Sequence, residues 1–173
     1  MNKFLRRFGS KSPTPKAAQS KTRPAFRWIV DRQLAVGPIP DATLQQQLID
    51  AGFKSILTLC SETEGKIDQQ IPNQFNWRRL VLPDSHYAEL LQAAQLKQAV
   101  EFVAQSITQQ PPIYVHCLAG MERSPSVCVA YLCLHQGMEV WEALNWVKQR
   151  NARTSLNRSQ VQAIQTLVQQ INS

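Results

Sequence analysis

The apolar residues of this chain change their spacing several times, and each change marks an element. Phe26–Val30 and Leu34–Gly37 are short strand-like runs, and Pro38 and Pro40 close the second. Asp41 then reads as the N-cap of a helix with Leu44, Leu48 and Ile49 on one face, ended by Gly52. Lys54–Cys60 and Phe75–Leu82 are further strand candidates, the second followed by the turn former Pro83-Asp84. Ala93, Leu96, Val100, Val103 and Ile107 recur at three and four residues, which predicts a helix over roughly 88–108. Pro111 and Pro112 stop it and launch the strand Ile113–His116. A short loop leads into a helix from Ser124 to about Gln136 that is apolar on nearly every face. Such a helix belongs at the centre of a domain, covered on all sides. Gly137 ends it, and amphipathic helices over about 139–150 and 157–171 complete the chain.

Strands alternating with helices predict a single α/β domain whose central, mostly parallel sheet is flanked by helices. In such sheets ligands bind beyond the carboxyl ends of the strands, where the loop 117–123 lies. The net charge of +7 does not belong to this domain. Lys3, Arg6, Arg7, Lys11, Lys16, Lys21 and Arg23 fall within residues 1–24, which hold no acid, while the rest carries 12 basic and 12 acidic residues. Residues 1–24, rich in Ser, Pro and Lys, read as a disordered basic tail before a folded domain over 25–173. Phe4, Leu5 and Phe8 among those cations admit weak contact with an anionic membrane or nucleic acid, beside the plain reading of a solvated tail. The neutral body gives no reason to expect nucleic-acid binding by the domain itself.

Val127–Leu134, the longest uncharged apolar run, is too short to span a bilayer, and Arg6 and Arg7 interrupt any signal-peptide pattern. Cys60, Cys117, Cys128 and Cys133 lack metal-ligand spacing, and three of them sit in apolar runs. These features lead to the expectation of a reducing, cytoplasmic compartment, with no disulfide, metal or cofactor.

The chemistry concentrates in Val-His-Cys-Leu-Ala-Gly-Met-Glu-Arg-Ser-Pro-Ser-Val, residues 115–127. A cysteine ends a strand, an arginine follows six residues later, and a helix begins at once with Ser124 as cap and Pro125 in its first turn. A loop of this length can turn successive N–H groups inward, and the helix N-terminus adds positive potential at the same centre. Gly120 permits the tight turn, and the planar fork of Arg123 suits two oxygens of a phosphate. The same field favours a thiolate at Cys117. His116 either orients the loop through its ring nitrogens or is an ordinary buried histidine.

His116-Cys117-x-x-Gly120-x-x-Arg123-Ser124 resembles the signature of the cysteine-based protein tyrosine phosphatases, and the chain length and downstream helices resemble their dual-specificity branch. The likeness runs from about residue 26 to the C-terminus. It implies a phosphatase whose nucleophile is Cys117, with Leu118, Ala119, Gly120, Met121, Glu122 and Arg123 around the phosphate. It implies a general acid about 30 residues upstream, and Asp84 stands 33 residues before Cys117 at a strand end. The alternative for Asp84 is a turn cap after Pro83. By the same resemblance Ser124 stabilises the leaving thiolate. Asn157 is either the family's loop-bracing asparagine or a plain helix N-cap. Some relatives keep a second cysteine at a strand end that traps the oxidised nucleophile, and Cys60 is either that partner or core packing.

A chain without the pocket-deepening loop of larger tyrosine-specific relatives is expected to admit phosphoserine and phosphothreonine as well as phosphotyrosine. The loop interior holds no lysine and does hold Glu122, which argues for singly phosphorylated substrates without excluding lipids. The expected partner is a phosphorylated protein, met by a monomer. The alternatives are the same chemistry on a phosphoinositide, a phosphoglucan or an RNA 5′-phosphate, and a non-catalytic phosphate-reading module.

Overall fold

The computed structural model describes residues 25–84 and 89–173. The basic tail assigned to 1–24, including Phe4, Leu5 and Phe8, lies outside them. Among the described residues five strands, β1 (Arg27–Val30), β2 (Leu34–Gly37), β3 (Ser55–Thr58), β4 (Asn76–Arg79) and β5 (Ile113–His116), form one sheet in the order β1-β2-β5-β3-β4. Within it β1 and β2 pair antiparallel, and β2, β3, β4 and β5 run parallel. The expected α/β architecture with a mostly parallel, helix-flanked sheet is therefore present.

Alternation along the strands feeds two cores. Leu34, Val36, Leu57, Ile113 and Val115 face the larger one, while Ala35, Ile56 and Tyr114 face the smaller. The smaller core is completed by Phe26, Phe53, Ile71 and Phe75, and by Leu44 and Leu48 of α1 (Ala42–Asp50). Asp41 caps α1 as expected, its carboxylate accepting the Leu44 N–H at 2.7 Å. Ile49, assigned to the apolar face, is 40% exposed, because the buried face of this nine-residue helix is made by Leu44, Gln45 and Leu48. A one-turn helix α2 (Ile71–Gln74), too short for a periodic signal, precedes β4.

The larger core lies against α3 (Ala93–Gln109), α4 (Arg123–Gln136), α5 (Val140–Arg150) and α6 (Arg158–Asn172). Helix α4 is buried from Arg123 to Cys133 and touches the other three, as its all-round apolar sequence requires. Gly137 ends it in the left-handed conformation, φ 66°. Helix α3 starts later than its periodicity suggests: Gln92 and Gln95 form a reciprocal capping box that fixes the first turn at Ala93. Among the described residues no helix is long and apolar enough to cross a membrane.

The register aligns the carboxyl ends of three neighbouring strands, with Gly37 and Thr58 both opposite His116. Hydrogen bonds continue past the assigned strand ends, Leu59 N–H to His116 O at 2.9 Å and Leu82 N–H to Leu59 O at 3.0 Å. Segments leaving these strands therefore converge on one edge of the sheet.

Candidate active site

The segment between β5 and α4 folds around the Cys117 sulfur. The Gly120 N–H donates to Sγ at 3.3 Å, and the Ser124 hydroxyl lies 3.4 Å from it. Burial opposes ionisation of this thiol. The Ser124 hydroxyl and N–H, the Arg123 charge and the Gly120 N–H outweigh that cost and bring it below the ordinary thiol value. Gly120 has φ +70°, and a Cβ there would stand 2.5 Å from the Gly37 carbonyl carbon, so the curl tolerates no side chain. Cys128 and Cys133, on the helix behind, are raised by burial, Cys133 to about 11.

Ser124 is not the N-cap. Arg123 is already helical, the capping position falls on Glu122, whose side chain does not cap the helix, and the Ser124 hydroxyl faces the sulfur instead. Pro125 stays within the first turn, where its missing N–H costs nothing.

His116 is fully buried with both ring nitrogens engaged, Nδ1 3.1 Å from Cys117 O and Nε2 2.8 Å from Thr58 Oγ1. A carbonyl only accepts, so Nδ1 carries the proton and Nε2 accepts from the Thr58 hydroxyl. That hydroxyl in turn accepts the Trp77 Nε1–H at 3.0 Å. The chain of donors thus runs Trp77, Thr58, His116, Cys117 O, from β4 across β3 to the start of the loop. Burial lowers the histidine to about 4, so it is neutral near pH 7.

Arg123 is 2% exposed, and its guanidinium meets two carboxylates. Nη2 donates to Asp84 Oδ2 at 2.8 Å, and Nη1 lies 2.8 Å from Glu64 Oε1. Asp84, singled out by its spacing, is thus brought to the arginine. Glu64 escapes the sequence reading. It sits in the polar turn after β3, tied by its carboxylate to the Ser61 N–H at 2.9 Å, and the available signal is its place beyond a strand's carboxyl end. Burial opposes its ionisation, but the Ser61 N–H and Arg123 prevail and hold its carboxyl below the usual value.

Asn157 does not brace the loop. Its side chain accepts the Gln160 N–H at 2.9 Å as the N-cap of α6. The brace is Asn151, which is buried and donates to Gly120 O at 2.9 Å. A second tie, Ser155 N–H to Met121 O at 2.9 Å, fixes the same segment to the loop. Gln160 lies 3.4 Å from the Glu122 carboxylate.

Together Glu64, Asp84, Cys117, Leu118, Ala119, Met121, Glu122 and Arg123 line a cavity of about 410 Å³. Cys117 and Arg123 are its buried lining residues, and Leu118, 41% exposed, is the one most open to solvent. Cys60 is fully buried, two residues beyond the position opposite His116. Burial raises its thiol, so it stays protonated where Cys117 ionises. Among the described residues no group of three or more His, Cys, Asp or Glu side chains is placed to hold a metal ion.

The family model of the dual specificity phosphatase catalytic domain matches residues 34–170. Phosphatidylglycerophosphate phosphatase PTPMT2 of Arabidopsis thaliana is 27% identical over 147 residues, 84% of this chain and 64% of that protein. Dual specificity protein phosphatase 1-B of Xenopus laevis is 33% identical over 126 residues, 73% of this chain and 32% of that protein. The chain thus spans less than two thirds of either relative. A crystal structure of PTPMT1 in complex with PI(5)P superposes with a TM-score of 0.77 at 21% identity, covering 86% of this chain and 97% of that one. With the motif, the sheet and the matched family model in agreement, the chain belongs to the dual specificity phosphatase family, a branch of the cysteine-based protein tyrosine phosphatases.

Proposed function

We propose that this phosphatase removes the terminal phosphomonoester of a glycerophospholipid headgroup through a phosphocysteine intermediate. The observation that carries the lipid reading is the contrast between the buried and the more exposed lining of the cavity. The buried lining residues, Cys117 and Arg123, are ionic, whereas Leu118, Ala119 and Met121, in the more exposed lining beside Glu122, are apolar. A phosphate attached to an amphipathic body suits that contrast. The similarity to a phosphatidylglycerophosphate phosphatase over 84% of the chain points the same way.

The Cys117 thiolate attacks phosphorus opposite the ester oxygen, the S–P bond forms and the P–O bond breaks. Asp84 protonates the departing alkoxide, then takes a proton from the water that attacks the phosphocysteine. The S–P bond breaks, inorganic phosphate leaves, and the Ser124 hydroxyl stabilises the returning thiolate. Loop N–H groups and Arg123 stabilise the equatorial oxygens throughout. An arriving phosphate dianion and Asp84 repel while both are ionised, and a proton on Asp84 relieves that repulsion.

A second reading, hydrolysis of phosphotyrosine and phosphoserine/threonine in proteins, is favoured by the 33% identity to a dual specificity protein phosphatase. The two separate by comparing kcat/KM for phosphatidylglycerophosphate in mixed micelles with that for phosphotyrosine and phosphothreonine peptides. The lipid should be preferred by at least about tenfold. A peptide preference would replace the lipid reading with the protein one.

A further inference from the structure

A phosphate cradle needs backbone N–H groups turned inward, and in a trans peptide the carbonyl then faces the opposite way. Four carbonyls of the catalytic loop are held by donors from outside it. The His116 Nδ1–H donates to Cys117 O and the Ile39 N–H to Leu118 O, each at 3.1 Å. Asn151 donates to Gly120 O and the Ser155 N–H to Met121 O, each at 2.9 Å. The N–H groups of Leu118, Ala119, Met121 and Glu122 are thereby directed away from these tethers. The Gly120 N–H meets the Cys117 sulfur on the inner side of the same curl.

The first two tethers, next to the nucleophile, are themselves held by Thr58 and Tyr114, neither of which lines the cavity. Thr58 on β3 is fully buried. Its hydroxyl accepts the Trp77 indole N–H at 3.0 Å and directs its own hydrogen at His116 Nε2, 2.8 Å away. Without that hydroxyl the ring is anchored at one nitrogen only, and a buried acceptor stands unpaired. Tyr114, two residues before His116 on the same face of β5, is also fully buried, its ring stacked on the imidazole with centroids 5.7 Å apart and planes 20° from parallel. Its hydroxyl, which burial keeps protonated, donates to Pro38 O at 2.5 Å. Pro38 O and the Ile39 N–H belong to one peptide plane, so this bond orients the donor that holds Leu118 O.

We infer that Thr58 and Tyr114 are positioning residues for phosphoryl transfer. Thr58, through His116 and the Cys117 carbonyl, aims the Leu118 N–H at the phosphate. Tyr114, through the Pro38–Ile39 peptide and the Leu118 carbonyl, aims the Ala119 N–H. The inference rests on the phosphocysteine chemistry proposed above and holds for any phosphomonoester. Two adjacent strands thus each set one donor of the cradle.

Thr58→Val and Tyr114→Phe each remove one hydroxyl with little change of volume and none of charge. The full chain, labelled with 15N, is titrated with orthovanadate and followed by amide 1H–15N spectra, beside kinetics on p-nitrophenyl phosphate. In each variant vanadate affinity and kcat should fall together by about five- to tenfold. The downfield shift that vanadate induces should shrink mainly at the Leu118 amide in Thr58→Val and mainly at the Ala119 amide in Tyr114→Phe. Thr58→Ser, which keeps the hydroxyl, should restore both affinity and shift. Wild-type vanadate affinity in a variant removes that residue from the role, and equal loss at both amides in both variants overturns the inference in favour of general loosening of the loop. The chemistry fails separately: turnover of p-nitrophenyl phosphate by Cys117→Ser would remove the phosphocysteine, while the amide responses still report on the tethers.

Discussion

Glu64 holds the edge of Arg123 that Asp84 leaves, its Oε1 2.8 Å from Nη1 while Asp84 takes Nη2. A buried guanidinium between two carboxylates is fixed in direction, and the phosphate site inherits that direction. Glu64 is therefore a positioning residue. A hydrogen bond to a charged group contributes about 1.5–3 kcal/mol, so Glu64→Ala should lower kcat/KM by roughly ten- to a hundredfold. The loss should fall mainly on KM and on vanadate affinity, with partial recovery in Glu64→Gln. Unaltered vanadate affinity in Glu64→Ala would show that Arg123 needs no such support.

Cys117→Ser should abolish turnover and keep phosphate affinity, because the loop N–H groups and Arg123 survive. Arg123→Ala should lose both, since its contact strengthens in the transition state. Ser124→Ala removes one of the contacts that bring the thiol below its ordinary value, so the rising limb of the pH–rate profile should move to higher pH. Iodoacetate alkylation against pH measures that limb without substrate. A limb that stays in place would assign the lowering to the Arg123 charge and the backbone N–H groups alone.

Asp84→Asn should slow alkyl phosphate hydrolysis by about two to four orders of magnitude, the range for a positioned acid. The loss should shrink for p-nitrophenyl phosphate, whose leaving group needs little protonation. A loss independent of the leaving group would make Asp84 a holder of Arg123 and no proton donor.

How far the sequence can be read depends on whether a residue's role is local. The segment from Ile113 to Arg123 is legible because strand, loop and helix follow one another without a gap, and the chemistry is written in consecutive residues. Ser124 shows the limit: a serine before a proline signals a cap, but the loop's curl makes Arg123 helical and turns the hydroxyl onto sulfur. Asn151 and Asn157 both flank helix ends, at the C-cap of α5 and the N-cap of α6. Only the folded path shows that the first reaches Gly120. Glu64 has no periodic neighbour, and its partner lies 59 positions away in the first turn of α4.

The buried His116 gives stability a pH dependence with a definite sign. Its folded value, about 4, lies below the ordinary 6.5, so between these pH values the unfolded chain binds more protons than the folded one. Stability is therefore full above about pH 6.5 and is lost as pH falls toward 4. The linkage amounts to about 3 kcal/mol across that window. Glu64, lowered from 4.5, loses its contribution only below that value, so the two effects separate along the pH axis. Urea unfolding at pH 7, 6 and 5 should show the decline in the wild type and a flatter profile in His116→Asn. Parallel profiles would place the acid sensitivity elsewhere.

Cys60 and Cys117 lie on adjacent parallel strands, just past the point where Thr58 pairs with His116. Burial does most to raise the Cys60 thiol; Arg123 opposes it, while Glu64 and the Cys117 charge add to the rise. The lowered thiol is the one peroxide oxidises first, giving a sulfenic acid at Cys117 and hydroxide. A protonated Cys60 is slow toward peroxide itself, yet can attack the sulfenic sulfur and expel water, leaving a disulfide. Core packing is the plain role of a fully buried cysteine, and the two roles differ in the fate of the oxidised enzyme. Brief peroxide treatment followed by dithiothreitol should restore wild-type activity, and mass mapping before reduction should find a Cys60–Cys117 peptide pair. In Cys60→Ser the sulfenic acid has no resolving thiol, so longer exposure should carry Cys117 to the sulfinic state and activity should not return. Equal recovery in the two proteins would leave Cys60 with packing alone.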